Sequence, residues 1–344
     1  MSNLPAVAVG GPQPVFAETV RESDNSSSIL IEPTANDQIH LSPGATHELV
    51  TEVYKETELP DGSSKSLFMD IQIPVGEGPF PAVIYVTGGG FLFMQRDKAL
   101  KSRTYVAEHG FVVASIDYRV IPDGATFPDS TGDVQDAVRY LRENASRFNV
   151  APEHIALWGE SAGGYLVALA ATRSASDDLG GSVSRVQAVI DKFGPSDLSD
   201  IGGDFEEETR AIYRSAGYFP AQFLFGLGTD RSADSDPVTV RRSDPASYVT
   251  ADSPPFLFMH GLDDRVVSPS QTLRLHEQIR TAGGDSTRYV LAGAGHGEFA
   301  ASTDPVIIAA WETNKVMNVM VDFLHRTLGQ QTATDDTNRT GSTA

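Results

Sequence analysis

The sequence predicts an α/β fold with a mostly parallel central sheet that is covered by helices on both faces. Short runs that are apolar at all or nearly all positions, such as residues 82–86 and 111–116, are typical of strands buried on both sides. Segments with helical spacing of apolar residues alternate with these strands, as they do in parallel sheets. A Gly-x-Ser-x-Gly pentapeptide at residues 159–163 lies between one such strand and the next helix.

The individual elements follow from the same periodicities. Residues 49–54 and 66–71 alternate between polar and apolar, and the turn at 60–63 joins them into an antiparallel hairpin. Buried strands are predicted at 82–86, 111–116, 155–158, 186–190, 256–260 and 287–291. Helices are predicted at 98–109, 165–171, 269–281 and 305–328, and one more is capped by Asp129-Ser130 with Val134, Ala137, Val138 and Leu141 on its apolar face.

The composition along the chain predicts three regions. Residues 1–45 are rich in Pro, Ser, Asn, Gly and Asp and are expected to form a flexible N-terminal arm, although an arm of this length could instead fold over the site. Residues 46–328 form the catalytic domain, and residues 329–344 a disordered tail. Within the domain, residues 198–248 interrupt the strand–helix alternation with an acidic cluster and several aromatics. This lid segment is expected to cover the site, unless it only packs its aromatics elsewhere.

Composition also excludes several classes of function. The 344 residues carry a net charge of −20, which disfavours binding to nucleic acid or to an anionic membrane surface. The chain contains no run of about 18 apolar residues, so no membrane span is predicted. The chain has no cysteine, so disulfides, thiolate metal sites and a cysteine nucleophile are excluded. Because the first residues lack a basic segment followed by an apolar core, no signal peptide is predicted and a cytoplasmic location is expected.

Ser161 is the predicted nucleophile. It lies where a sharp strand-to-helix turn exposes the hydroxyl, and Gly159 and Gly163 leave room for the turn. A serine hydroxyl needs a base, and His296, in a glycine-rich loop after the last strand, can supply it. An acid in the loop after residues 256–260 would orient that base, and Asp263 and Asp264 both qualify. The order Ser, acid, His is the order expected of an α/β-hydrolase.

Stabilisation of a developing oxyanion is predicted at the glycine loop formed by Gly88, Gly89 and Gly90. Glycines let backbone N–H groups approach a substrate closely, so Gly89, Gly90 and Ala162 are the predicted donors. A phosphate-binding loop is the alternative, but neither Gly-x-x-x-x-Gly-Lys nor Gly-x-Gly-x-x-Gly surrounds these residues.

Residues 111–164, which include Asp117-Tyr118-Arg119 and Gly159-Glu160-Ser161-Ala162-Gly163-Gly164, resemble the bacterial feruloyl-esterase-like and hormone-sensitive-lipase-like carboxylesterases. His260-Gly261-x-x-Asp264 and Gly295-His296-Gly297 match the acid and base motifs of that family, and the likeness extends over about residues 48–328. The resemblance implies ester hydrolysis through an acyl-enzyme without a cofactor or metal. It also implies that Asp264, rather than Asp263, is the acid. Thr87 stands where the family usually has a histidine before the three glycines.

The predicted function is therefore a serine carboxylesterase acting on a small or medium ester, aryl or acyl, whose pocket Phe91, Phe219, Phe223 and Phe225 would line. A peptidase of the prolyl-oligopeptidase type shares the triad order, but about 50 residues before the first strand leave no room for a propeller. An acyltransferase would differ only in its acceptor. A non-catalytic binding protein on the same fold would lack a triad residue, and none is missing here.

Overall fold

The computed structural model describes residues 15–34, 36–42, 48–176, 182–297 and 309–329. Its strands are β1 (Ile29–Ile31), β2 (Glu48–Glu58), β3 (Ser64–Ile73), β4 (Phe80–Val86), β5 (Val112–Ile116), β6 (Val150–Glu160), β7 (Ala188–Lys192), β8 (Phe256–Gly261) and β9 (Ser286–Leu291). They form one sheet in the order β1-β9-β8-β7-β6-β4-β5-β3-β2. All neighbouring pairs are parallel except β2–β3 and β3–β5. The predicted α/β class, the parallel core and the antiparallel hairpin are confirmed.

The helices are α1 (Leu100–Glu108), α2 (Phe127–Glu143), α3 (Ala162–Ala175), α4 (Glu207–Arg214), α5 (Phe219–Phe225), α6 (Pro237–Ser243), α7 (Ser270–Thr281) and α8 (Asn314–Leu328). One apolar core on one face of the sheet contains buried residues of α2, α3 and α5, and the core on the other face contains those of α1 and α8. Both faces are therefore covered, as the fully apolar strands require. No described helix has both the length and the apolar character needed to cross a bilayer.

The starts of helices α2 and α8 are fixed by caps and differ from the prediction. Helix α2 begins at Phe127, because Thr126 and Asp129 form a reciprocal capping box in which the Asp129 carboxylate accepts from the Thr126 backbone N–H at 3.0 Å. Helix α8 begins at Asn314 after a short 3₁₀ turn, and the Thr313 hydroxyl caps it. The predicted stretch 305–308 of the last helix lies outside the described residues.

Residues 15–34 and 36–42 differ from the predicted flexible arm, because they pack against the domain. Strand β1 adds to the sheet edge beside β9, an element that the sequence analysis did not identify. Ala17 is buried, and its N–H donates to the Arg265 carbonyl at 2.9 Å. Glu206 of the lid segment accepts from the backbone N–H groups of Glu18 and Thr19. Residues 1–14 and 43–45 of the predicted arm, and 330–344 of the predicted tail, lie outside the described residues.

Parallel strands bring their carboxyl ends to one edge of the sheet. Strands β4, β6, β8 and β9 all run in the same direction, so the loops that follow them meet there. The glycine loop follows β4, Ser161 follows β6, Asp264 follows β8 and His296 follows β9. The topology thus brings together residues that are far apart in the chain, such as Gly88 and His296, which are separated by 208 positions.

Asp191 is a buried carboxyl group near the carboxyl end of β7. Its Oδ1 accepts from the Gly194 N–H at 2.9 Å and lies 2.3 Å from where a Cβ on Gly164 would stand. Burial raises the pKa of Asp191 to about 7, although the hydrogen bond from Gly194 opposes the shift. Because the folded state holds this proton more tightly than the unfolded chain, the free energy of unfolding falls as the pH rises from about 4 to about 7.

We expect Asp191→Asn to remove this pH dependence, since the amide keeps the acceptor oxygen and has no charge to bury. At pH ~8 the variant should be more stable than the wild type by on the order of 3 kcal/mol, and near pH ~4 the two should be similar. Denaturant unfolding at both pH values measures the difference. The exposed Asp252→Asn variant is the control. A pH-independent change in Asp191→Asn would contradict the assignment.

Candidate active site

Ser161 occupies a strained turn between β6 and α3. Its φ of 56° and ψ of −122° lie in a region that residues with a side chain rarely adopt. The turn requires glycines, because a Cβ on Gly159 would stand 2.2 Å from the Gly163 carbonyl oxygen. A Cβ on Gly163 would stand 2.0 Å from the Val86 carbonyl oxygen. The Ser161 N–H donates to the Lys192 carbonyl at 2.9 Å, which holds the turn against β7.

The structure brings the three residues of the predicted triad together in one chain of hydrogen bonds. Ser161 Oγ lies 2.7 Å from His296 Nε2, and His296 Nδ1 lies 2.7 Å from Asp264 Oδ2. His296 and Asp264 are buried, whereas Ser161 is partly exposed. With Nδ1 donating to the carboxylate, Nε2 is free to accept the serine proton.

Asp264, and not Asp263, faces the histidine. The Asp263 side chain is exposed, while Asp264 Oδ1 accepts from the backbone N–H groups of Val266 and Val267 at 2.9 Å each. Burial alone would raise the pKa of Asp264. Electrostatic attraction to His296 and the hydrogen bonds from His260 and His296 outweigh burial and lower that pKa below its usual range. The carboxylate is therefore charged at neutral pH.

Two aromatic residues that the sequence analysis missed hold the His296 loop. The Phe193 ring lies 4.8 Å from the His296 ring and 4.7 Å from that of Trp311. Trp311 Nε1 donates to the Gly295 carbonyl at 3.1 Å. Neither residue belongs to a motif, and their positions after β7 and before α8 become informative only once the sheet order is known.

The residue before the nucleophile takes part in a second feature that sequence reasoning missed. Glu160 pairs with the buried ammonium of Lys192 at 2.6 Å and accepts from the Tyr85 hydroxyl at 3.1 Å. The same ammonium lies 5.1 Å from the centre of the Trp311 ring. A buried lysine needs such partners, so this pair ties β6 to β7 directly beneath the nucleophile turn.

The glycine loop lies against the nucleophile. A Cβ on Gly88 would stand 2.9 Å from Ser161 Cβ, and one on Gly89, where φ is 142°, would stand 1.9 Å from the Phe93 carbonyl oxygen. Within the described residues, no acceptor pairs with the backbone N–H groups of Gly89, Gly90 or Ala162. These donors are therefore available to a ligand.

Thr87, which stands in place of the usual histidine, is held by its backbone. The Tyr118 hydroxyl donates to the Thr87 carbonyl at 2.9 Å, and both residues are buried. Tyr118 belongs to the Asp117-Tyr118-Arg119 sequence after β5. The neighbouring strand thus supplies an anchor for the start of the glycine loop.

The four aromatics predicted to line a pocket have different surroundings. Phe91 and Phe223 are buried and stack face to face at 3.9 Å, so they join the lid segment to the glycine loop within the apolar core. The structure differs here from the prediction, because these two rings face each other instead of an open pocket. Phe219 is half-buried, 6.3 Å from Phe91. Phe225 lies 4.3 Å beneath the Arg231 guanidinium.

Comparisons with known proteins identify a family and several relatives of this chain. Residues 69–279, more than half of the chain, match the model of the family described as BD-FAE. Esterase LipC of Mycobacterium tuberculosis is 33% identical over 64% of this chain and 53% of its own length. Isoprenylcysteine alpha-carbonyl methylesterase ICME of Arabidopsis thaliana is 26% identical over 66% of this chain and 53% of its own. The chain thus spans about half the length of these curated relatives.

Solved structures share the fold. A truncated carbohydrate esterase from gut microbiota superposes with a TM-score of 0.66 at 25% identity, covering 87% of this chain and 100% of that one. Esterase 2 of Thermogutta terrifontis has a TM-score of 0.61 at 23% identity, covering 85% of this chain and 96% of that one. The α/β-hydrolase fold is therefore confirmed.

We expect a fluorophosphonate probe to add once, on the peptide that contains Ser161, because such probes react with activated serine hydroxyls. His296→Ala should slow labelling on the order of 10²-fold, since the hydroxyl loses its base. Mass spectrometry of the digest locates the adduct. Ser174→Ala, on the same helix, is the control and should label normally. Labelling at another residue, or undiminished labelling of Ser161→Ala, would contradict the assignment.

Proposed function

This chain belongs to the BD-FAE family, and from that premise we propose that it is a serine carboxylesterase that hydrolyses a small or medium ester through an acyl-enzyme. The observation that carries the proposal is the hydrogen-bonded series from Ser161 Oγ through His296 to Asp264, with both contacts at 2.7 Å. This is the geometry that acyl transfer by a serine requires.

In the first half of the reaction, Ser161 Oγ attacks the ester carbonyl carbon while His296 Nε2 takes the serine proton. Asp264 stabilises the resulting imidazolium. The proton then passes from His296 to the leaving alcohol, and the C–O bond of the ester breaks to leave the acyl group on Ser161. The strained backbone at Ser161 keeps the hydroxyl in position for this attack.

In the second half, water attacks the acyl-enzyme with His296 again as the base, and the acid is released. Both tetrahedral intermediates carry an oxyanion, which the N–H groups of Gly89, Gly90 and Ala162 stabilise. One such donor contributes about 3 kcal/mol to the transition state. The tight contact between Gly88 and Ser161 supports this assignment, since it brings the glycine loop beside the attacked carbon.

The lid segment is proposed to limit the size of the substrate. Its support is the stacking of Phe223 on Phe91, which brings the half-buried Phe219 beside the glycine loop. The printed names of similar proteins, a methylesterase and a carbohydrate esterase among them, indicate different kinds of ester. The proposal therefore specifies the carboxylic ester bond and a small-molecule substrate, and not the alcohol. The cytoplasmic location stays a prediction.

Substitution of two neighbouring carboxylates, Asp263 and Asp264, tests the proposed mechanism. We expect Asp264→Asn to lose on the order of 10³–10⁴ in kcat with little change in KM, because the amide permits the wrong His296 tautomer and removes the charge that stabilises imidazolium. Asp263→Asn, at an exposed position, should stay within about tenfold. The measurement is kcat on p-nitrophenyl acetate, with folding checked by thermal melting. A crippled Asp263→Asn would reassign the acid, and two active variants would overturn the triad.

The proposed role of the lid segment is tested by trimming its half-buried aromatic. Phe219→Ala should shift the relative kcat/KM among p-nitrophenyl esters of graded chain length by about tenfold, since apolar pocket contacts contribute that much to discrimination. Val238→Ala, at an exposed position of the same segment, is the control and should keep the wild-type profile. An unchanged profile in Phe219→Ala would leave the segment with a packing role only.

A further inference from the structure

Behind Asp264 lies a second series of buried polar side chains that the proposed mechanism does not use. His260 Nε2 lies 3.2 Å from Asp264 Oδ2, the oxygen that also accepts from His296. His260 Nδ1 lies 2.9 Å from the Thr272 hydroxyl, and Arg288 Nε donates to that hydroxyl at 3.0 Å. All four residues of this series are buried: Asp264, His260, Thr272 and Arg288.

The partners of each atom determine where the hydrogens lie. His260 Nε2 faces two acceptors, the Asp264 carboxylate and the Val267 carbonyl at 3.1 Å, so this nitrogen must carry a hydrogen. At the other end, Arg288 can only donate. The Thr272 oxygen accepts from Arg288, and its one hydrogen has two acceptors within reach, His260 Nδ1 at 2.9 Å and the Pro269 carbonyl at 3.4 Å. The shorter contact favours donation to His260 Nδ1. The whole series is satisfied when His260 is neutral with its hydrogen on Nε2.

Arg288 supplies a fixed positive charge at the far end. Its guanidinium donates to Asn25 and Ser28 in the N-terminal segment at 2.8 and 2.7 Å, and to the Pro269 carbonyl at 2.8 Å. No carboxylate of the described chain lies within ion-pair distance of it. Burial lowers the pKa of Arg288 to about 10, so it is still charged at neutral pH.

We propose that Arg288 and Thr272 are positioning residues that hold His260 as the neutral Nε2–H tautomer, so that the charge of Asp264 is available to the His296 imidazolium alone. This inference rests on the proposed function of the site. A doubly protonated His260 would already neutralise the carboxylate and weaken His296 as a base. A His260 with its hydrogen on Nδ1 would turn a lone pair toward Asp264 and repel it.

The charged and titratable groups that face the His260 ring within the described chain are Asp264, Arg288 and His296. Burial lowers the pKa of His260, and the charges of Arg288 and His296 act in the same direction, while Asp264 opposes them. The geometry and the surrounding charges therefore favour the same neutral state.

The state of His260 can be observed directly by ¹⁵N NMR of the full-length protein labelled at histidine, with the signal assigned through its loss in His260→Asn. We expect the Nε2–H tautomer to persist across pH ~5 to 8, the range in which ordinary histidines change charge. A doubly protonated ring, or a hydrogen on Nδ1, at any pH in that range would overturn the proposal. This measurement does not depend on turnover.

The consequence for the reaction is tested at Thr272. Thr272→Val keeps the shape of the side chain but removes the hydroxyl, so we expect about a tenfold loss of kcat on p-nitrophenyl acetate with KM nearly unchanged, and an altered His260 signal. Thr272→Ser should restore both. Thr172→Val is the matched control, because among the described residues that buried hydroxyl bonds only to backbone carbonyls of its own helix.

The outcomes separate this inference from the proposed function. Wild-type kcat and an unchanged His260 signal in Thr272→Val would overturn the positioning role while leaving the esterase intact. If the wild type neither hydrolyses esters nor reacts with a phosphonate at Ser161, the proposed function fails, and with it any effect on kcat. The NMR spectrum then still decides whether Arg288 and Thr272 hold His260 as inferred.

Discussion

The close approach of two backbones at the end of β6 is the constraint on which the rest of the site depends. The turn at Ser161 brings Gly159 against Gly163, and Gly163 against the end of β4. No side chain fits at either glycine, so the nucleophile strand, its helix and the neighbouring strand have one relative placement. The positive φ at Ser161 is unfavourable in local conformational free energy, and this packing maintains it. Because β4 is held there, the glycine loop that follows it must also lie beside the serine.

Around this turn the protein buries several ionisable groups, and the partners of each group offset part of the free-energy cost of burying it. Lys192 pairs with Glu160, Asp264 accepts from two backbone N–H groups and two histidines, and Asp191 accepts from a backbone N–H while its pKa rises. A buried charge without such partners would cost several kcal/mol. The same low-dielectric setting strengthens the interaction between Asp264 and His296, so in the proposed mechanism the burial that is costly for stability favours proton transfer.

The N-terminal segment connects parts of the site that the sheet alone does not hold. The Tyr213 hydroxyl donates its hydrogen to the Val266 carbonyl at 2.7 Å and lies 3.1 Å from the Val15 carbonyl oxygen, so one side chain of the lid segment contacts both the N-terminal segment and the loop after Asp264. Strand β1 closes the edge of the sheet beside β9, and Asn25 and Ser28 accept from Arg288 of β9. The loop after β8, which carries Asp264, is thus supported by the N-terminal segment, the lid segment and β9.

The sequence by itself predicted the α/β class, the alternation of parallel strands with helices, and Ser161, His296 and the loop after β8 as the parts of the site. These features depend on local patterns: apolar runs, glycines at a sharp turn, and spacing within short motifs. The family resemblance also selected Asp264 over Asp263, and the tertiary structure places Asp264 against His296. Only the tertiary structure decided that β1 extends the sheet and that Phe91 and Phe223 stack in the core. It alone brought Phe193, Trp311, Thr272 and Arg288 to the site. The direction of a side chain in a tight loop, and contacts between residues far apart in the chain, depend on how the whole sheet packs, and no local periodicity records them.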